Sequence, residues 1–401
     1  MPFCFEIKEI GYIWFNGNEC ELTAQFLFAK NFNYINESQN AMVNKFWSSS
    51  VKSLTPYTPG EQPLHGEEVV KLNTNENPYP PSPKVREAIL VAMGEDAAKL
   101  RLYPDPAGTA LRQELAQHHA IEPDQIFLGN GSDEVLAHVF LGLLKHKASV
   151  LFADITYSFY PVYCALYGIE YERVPLSSKF EIRVNDYLHP QRQPNSGIVI
   201  ANPNAPTGIA LPLSEVERLV KANQQSVVVV DEAYVDFGGE TAIPLVKQYK
   251  NILVVRTFSK SRAMAGMRLA YAVGDASLIT GLNKVKDSFN SYPLDMLAQT
   301  AGIASVRDDD YFQMRCKEVI ATREELVQQL EQLQFEVMPS ATNFLFVKPP
   351  KIAAEVLAQE LKKRKILVRH FKAARIDDYL RVTVGTQQEC QALISACSDI
   401  L

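Results

Sequence analysis

Residues 226–237 read SVVVVDEAYVDF: four consecutive valines, an aspartate, and a tyrosine three positions after it. A β-branched run without polar alternation is what a strand covered on both faces requires. A carboxylate ending such a strand, Asp231, is either a plain helix cap or a charge placed for a ligand. Three more segments share the texture: SVLFAD (149–154), GIVIAN (197–202) and NILVVRTFSK (251–260), with helical patterns between them. Strands alternating with helices predict an α/β fold around a mainly parallel sheet, with ligands held at the carboxyl ends of the strands.

Those ends carry polar residues of specific kinds. GNGSDEVL (129–136) sets two glycines, Ser132 and Asp133 at a strand-to-helix turn, where free N–H groups and the helix dipole suit an anion. The spacing is neither a Walker nor a dinucleotide fingerprint. ANPNAPTG (201–208) ends a strand at Asn202, which either caps its own loop or donates its amide to a phenolate oxygen. Tyr234 follows Asp231 by three residues. In RTFSKSRAMAGMRLAY (256–271), Lys260 follows Ser259 at a strand end, and Arg268 comes eight positions later. Pyridoxal 5'-phosphate needs an amine for an imine, a carboxylate at its ring nitrogen, donors at its ring oxygen and a cup for its phosphate. All four groups occur here, each at a predicted strand end.

Composition narrows the alternatives. The chain has 401 residues and a net charge of −6, so no basic excess gathers nucleic acid or an acidic membrane. Six scattered cysteines without C-x-x-C spacing indicate neither a zinc site nor a disulfide framework, and reduced thiols fit a cytoplasmic location. No apolar run approaches the roughly 18–20 residues of a membrane span, and the first residues lack the pattern of a signal peptide. No metal is expected, because the adjacent His118 and His119 point in different directions on a helix and read as a solvated face.

Four segments are expected. Residues 1–53 read as an extension of doubtful order, with Met42 as the natural start and an N-terminal arm as the alternative. Residues 54–92 are a proline-rich arm that joins the small domain. Its helix begins at Pro83, capped by Ser82. A large domain spans 93–290. A small α+β domain spans 291–401, with one long helix over DDDYFQMRCKEVIATREELVQQLEQL (308–333) and strands in FEVMPSATNFLFVK, ILVRHF and LRVTVG.

NPNAPTG, DEAY and TFSKSRAMAGMRLAY resemble the motifs of the fold-type I pyridoxal-phosphate aminotransferases, and the likeness covers roughly residues 54–400. YTPGEQP, NENPYPPSP, LYPDP and GNGSDE resemble the histidinol-phosphate aminotransferase branch. The resemblance implies a seven-stranded, mainly parallel sheet between helices. It also implies that Lys260 carries the cofactor, Asp231 pairs with its ring nitrogen, and Asn202 and Tyr234 hold its ring hydroxyl. Ser132, Asp133, Ser259 and Arg268 would form the phosphate site. Tyr157, in ITYSFY, would stack on the ring, and Tyr103, in LYPDP, would reach the cofactor phosphate of a partner subunit in a homodimer. Two departures stand out: Ala205 where the family usually has a second Asn, and Leu102 where many members have Arg.

Substrate choice is expected from Arg369 and Arg381, twelve residues apart on two predicted adjacent strands, with Tyr79 and Asn343. One arginine serves an α-carboxylate; two suit a phosphate dianion. The expected reaction is transamination of L-histidinol phosphate with 2-oxoglutarate. Aromatic-amino-acid aminotransferase and threonine-phosphate decarboxylase are the rivals of the same fold. A regulator that kept this fold is disfavoured, because residues 1–65 hold four lysines, no arginine and six acids.

Overall fold

The computed structural model describes residues 46–63, 66–188 and 194–401. Met42 and the rest of 1–45 lie outside the described residues. The chain up to Leu54 and the chain from Thr55 to Leu401 are two separate compact units. The described part of the first holds one short helix, Ser49–Lys52, whose first turn is capped by the Ser48 hydroxyl.

The second unit opens with a two-residue strand, β1 (Val70–Lys71). Seven strands then follow: β2 (Ile126–Gly129), β3 (Val150–Ala153), β4 (Tyr171–Val174), β5 (Gly197–Ala201), β6 (Val227–Asp231), β7 (Ile252–Thr257) and β8 (Ala270–Gly274). They form one sheet in the order β2-β8-β7-β6-β5-β3-β4. Only β8 runs against its neighbours β2 and β7. The valines of β6 explain the texture of its sequence. Successive side chains of a strand point to opposite faces. Val228 and Val230 therefore enter one hydrophobic core and Val229 the other. With both faces covered, no polar residue has a place in β6 until its carboxyl end.

That end is in register with its neighbours. Asp231 lies beside Ala201 of β5 and Val255 of β7. The loops after β5, β6 and β7, which carry Asn202, Tyr234 and Lys260, therefore leave the sheet side by side.

The later strands are β9 (Glu336–Val337), β10 (Phe344–Lys348), β11 (Ile366–Leu367), β12 (Arg369–His370) and β13 (Leu380–Thr383). Four of them make an antiparallel sheet, β12-β13-β10-β9, while β11 pairs in parallel with β1 and ties the arm to this module. The expected adjacency is direct: Arg369 of β12 is the register partner of Arg381 of β13. The long helix is Asp309–Gln332, and Phe312, Leu326 and Leu330 on it share a core with Leu72, Leu345 and Val382. Ser82 caps the helix Pro83–Met93 as expected, its Oγ accepting from the Lys84 N–H at 3.1 Å. Val85 of that helix, with Ala301 and Val306 of helix Met296–Arg307, joins the core under the large sheet. These residues lie in the stretches 54–92 and 291–401 expected to build the second module.

One expectation is corrected. His119 is not part of a solvated face. Its ring is half-buried, with Nε2 2.8 Å from the Tyr271 hydroxyl. Burial, then the nearby Arg256, pushes its pKa down to about 3. The helix Thr109–His119 turns its last residue toward the sheet, which the residue pair alone does not reveal.

Candidate active site

Two cavities meet at Lys260. The first, about 190 Å³, is lined by Asp231 and Tyr234 after β6, by Ser259 and Lys260 after β7, and by Tyr157 and Arg268. Ser132 and Asp133 close one end of it. The second, about 160 Å³, is lined by Arg369, Arg381, Phe371 and Tyr57. Thr74, Tyr157, Ala205, Tyr234 and Lys260 belong to both walls. The Lys260 amine lies 5.7 Å from the centre of the Tyr234 ring, and its Nζ donates to the Thr74 carbonyl at 3.3 Å.

Asp231 is the most unusual group of the first cavity. It is 6 % exposed, its Oδ2 accepts from the Tyr160 hydroxyl at 2.9 Å, and its Oδ1 is buried with no hydrogen-bond partner. Burial raises its pKa to about 6, against the pull of the Tyr160 hydroxyl and the Ala233 amide. A half-satisfied buried carboxylate is costly, so a cationic N–H donor at Oδ1 is the ligand group it calls for.

The other end of this cavity suits an anion. Helix Ser132–Val139 begins there behind Gly131, whose φ is +82°. A Cβ on Gly131 would lie 2.4 Å from the Arg268 guanidinium, so glycine is what lets the arginine lie over the helix start. Arg268 meets Asp133 at 3.2 Å, and Tyr157 donates to the other Asp133 oxygen at 2.8 Å. Ser259 is buried, and its Oγ accepts from Thr257 at 3.0 Å, which leaves its own proton free for the cavity.

The loop of Lys260 is held from below by buried charge. Glu232, next to Asp231, pairs with Arg256, which also pairs with Asp236, and Asp236 accepts from Ser261 Oγ at 2.5 Å. Burial raises Glu232 to about 7; burial also raises Asp236, but Arg256, the Ser261 hydroxyl and Arg262 together bring it below the usual carboxylate value.

In the second cavity the lining holds Lys260, Arg369 and Arg381 and no carboxylate. Arg381 donates to the Asn73 carbonyl at 2.9 Å, but its Nε is buried without a partner. Burial, and less strongly Arg369, pushes its pKa below the usual guanidinium range. Like charges directly opposite on paired strands destabilise a sheet unless an anion lies between them.

Four expected residues line neither cavity. The Asn202 side chain is committed to its own loop, donating to the Leu211 carbonyl at 3.1 Å and accepting the Leu211 N–H at 2.8 Å. Asn343 is buried, with Nδ2 donating to the Asn75 carbonyl at 3.0 Å. Tyr79 is turned away by a local bond from its N–H to Asn77 Oδ1, so that Arg315 lies 4.5 Å over its ring. Burial, then Glu318, pushes its pKa up to about 12. Tyr103 is 82 % exposed and stacks on Tyr292 at 4.6 Å.

Conversely, the arm supplies groups that sequence reasoning missed. In the run NTNEN (73–77), the carbonyls of Asn73 and Thr74 accept from Arg381 and Lys260. Asn75 donates to the Tyr234 hydroxyl at 3.0 Å, and Asn77 donates to the carbonyls of Lys260 and Ser261. The available signal was the density of Asn and Thr in a segment read only as extended.

Comparison with known proteins agrees with this architecture. Residues 67–396 match the family model of class I and II aminotransferases, and the chain belongs to that family. The chain is 56% identical over 358 residues to histidinol-phosphate aminotransferase 2 of Dechloromonas aromatica (strain RCB), covering 89% of this chain and 99% of that protein. It is 58% identical over 354 residues to histidinol-phosphate aminotransferase 2 of Thiobacillus denitrificans (strain ATCC 25259 / T1), covering 88% and 97%. Its fold matches the crystal structure of histidinol-phosphate aminotransferase from Sinorhizobium meliloti in complex with pyridoxal-5'-phosphate. The TM-score is 0.80 at 23% identity, over 90% of this chain and 99% of that one.

The raised pKa of Asp231 predicts a pH effect on the ligand-free protein. A carboxyl whose folded pKa exceeds its unfolded one contributes stability below the unfolded value and loses it as pH rises through the folded value. Relative to wild type, Asp231→Asn therefore gains stability as pH rises from about 4 to about 7, by on the order of 1–3 kcal/mol. Urea melts of both proteins across that range measure it, and a pH-independent difference contradicts the assignment.

Proposed function

We propose that this aminotransferase uses pyridoxal 5'-phosphate to transaminate L-histidinol phosphate with 2-oxoglutarate, giving imidazole-acetol phosphate and L-glutamate. The observation that carries the substrate is the register pair Arg369–Arg381, facing a cavity without a carboxylate. The names of the relatives above support the same reading.

The first cavity fits the cofactor on its own evidence. The orphaned Oδ1 of Asp231 matches a ring N–H, and the cradle at Gly131 and Arg268 matches a phosphate. Lys260, at the junction of the cavities, would hold the cofactor covalently. When bound, pyridoxal phosphate supplies an aldehyde that links to amines and an electron-poor ring that accepts an electron pair. Asp231, ionised beside a ring cation, would keep the ring nitrogen protonated. Tyr234 would donate to the ring oxygen, and Tyr157 would pack against the ring. Ser132, Ser259 and Arg268 would hold the phosphate. Once an amino substrate had taken its place, the Lys260 Nζ would be the acid–base group that takes up and gives back the proton of the substrate carbon. Arg369 and Arg381 orient the substrate by its anionic end, so that this carbon faces Nζ.

Tyr103 belongs to a second copy's site in this reading. It is exposed next to Leu102 and stacks on Tyr292, which is also exposed, an apolar surface suited to a homodimer. The described cysteines are buried and unpaired, which supports a cytoplasmic location, and among the described residues no helix is long and apolar enough to cross a membrane.

Three experiments test the proposal. Lys260→Ala abolishes turnover and the lysine-linked absorbance; a variant that keeps both removes Lys260 from the mechanism. Steady-state assays give histidinol phosphate a kcat/KM more than about tenfold above that of phenylalanine, and Arg381→Met lowers it by about 10–100-fold, as the loss of a charge-assisted bond to an anion implies. A preference below about tenfold moves the assignment to an aromatic amino acid. Finally, mixing inactive Lys260→Ala and Tyr103→Ala chains recovers activity, because the hybrid dimer holds one site with both residues intact. Mixtures that stay inactive while hybrid dimers form exclude a shared site.

A further inference from the structure

We propose that Asn75 is a positioning residue that aims the Tyr234 hydroxyl proton into the cavity; this rests on the cofactor reading above. Asn75 is 1 % exposed and holds a left-handed backbone at φ 57°, a conformation asparagine tolerates better than most residues. Its Nδ2 donates to the Tyr234 oxygen at 3.0 Å. Its own backbone N–H donates to Thr383 Oγ1 at 3.0 Å, and that hydroxyl donates back to Asn75 Oδ1 at 3.0 Å. The threonine therefore fixes which end of the carboxamide faces the tyrosine.

A phenol has one proton and two acceptor positions. With Asn75 donating into one acceptor position, the Tyr234 proton has no acceptor on that side and is left for a group inside the cavity. The opposite wall offers no substitute donor. Ala205 lines both cavities but brings no polar side-chain atom. The amide of Asn202 is held by Leu211, and that of Asn204 by the Ile155 carbonyl and Thr207. Tyr234 is thus the side-chain donor available to the ring oxygen, and Asn75 sets its direction. Thr383 also stands two residues from Arg381 on β13, so the strand that presents the anion-binding arginine also anchors Asn75.

The test is the pH midpoint of the bound cofactor's visible absorbance. A hydrogen bond donated to the ring oxygen stabilises its negative charge, which loosens the proton that the oxygen shares with the lysine nitrogen. Loss of an aimed donor therefore raises the midpoint. Asn75→Ala raises it by roughly 0.5–1 pH unit, the equivalent of one ordinary hydrogen bond. Asn75→Gly, which takes the left-handed backbone freely, gives the same shift and controls for folding. Tyr234→Phe shifts it further, and adding Asn75→Ala to Tyr234→Phe adds nothing. Variants that lower Tm but leave the midpoint unmoved, or that shift it equally with and without the tyrosine hydroxyl, overturn the proposal. Failure of the wild-type protein to form the chromophore overturns the cofactor reading instead.

Discussion

The site is organised around one unfinished interaction, the buried carboxylate at the end of the central strand. One oxygen of Asp231 is satisfied by Tyr160 and the other by no protein group. Burial without a second partner raises the energy of the ionised form and pushes the carboxyl pKa up to about 6. The fold tolerates this because five register pairs with β5 and four with β7 fix the backbone there. A ligand with a cationic N–H relieves the cost, and the same contact keeps that ligand's nitrogen protonated. Stability lost by the empty protein is thus recovered on binding.

The second cavity repeats the logic with the opposite sign. Arg369 and Arg381 are forced opposite each other by antiparallel pairing, and no acidic lining residue neutralises them. An empty site stores repulsion that an anion removes. Both cavities share the Lys260 wall, so one amine borders both the cavity of the buried carboxylate and that of the paired arginines.

The arm 73–77 connects them. Its backbone carbonyls accept hydrogen bonds from Lys260 and Arg381, and its side chains reach Tyr234 and the Lys260 loop. Just before it, β1 pairs with β11 of the small module. A segment without regular structure of its own is therefore anchored by a strand on one side and by hydrogen bonds to both cavities' lining.

The sequence alone was enough for the parallel sheet and for the placement of Lys260, Asp231 and Ser132 at its strand ends. Burial on both faces leaves an uninterrupted apolar run, and a polar residue at its end has few other reasons to be there. The adjacency of Arg369 and Arg381 was likewise legible, because two short strands separated by a brief connection pair with each other. Tertiary structure decided what each asparagine and tyrosine does. Asn202 and Tyr79 sit in suggestive motifs, yet local bonds to Leu211 and Asn77 turn them away, while Asn75 enters from a segment with no periodic signal. A hydrogen bond depends on direction within a few tenths of an ångström, and direction comes from the packing of remote segments, whereas hydrophobic burial needs only the right residues at the right period.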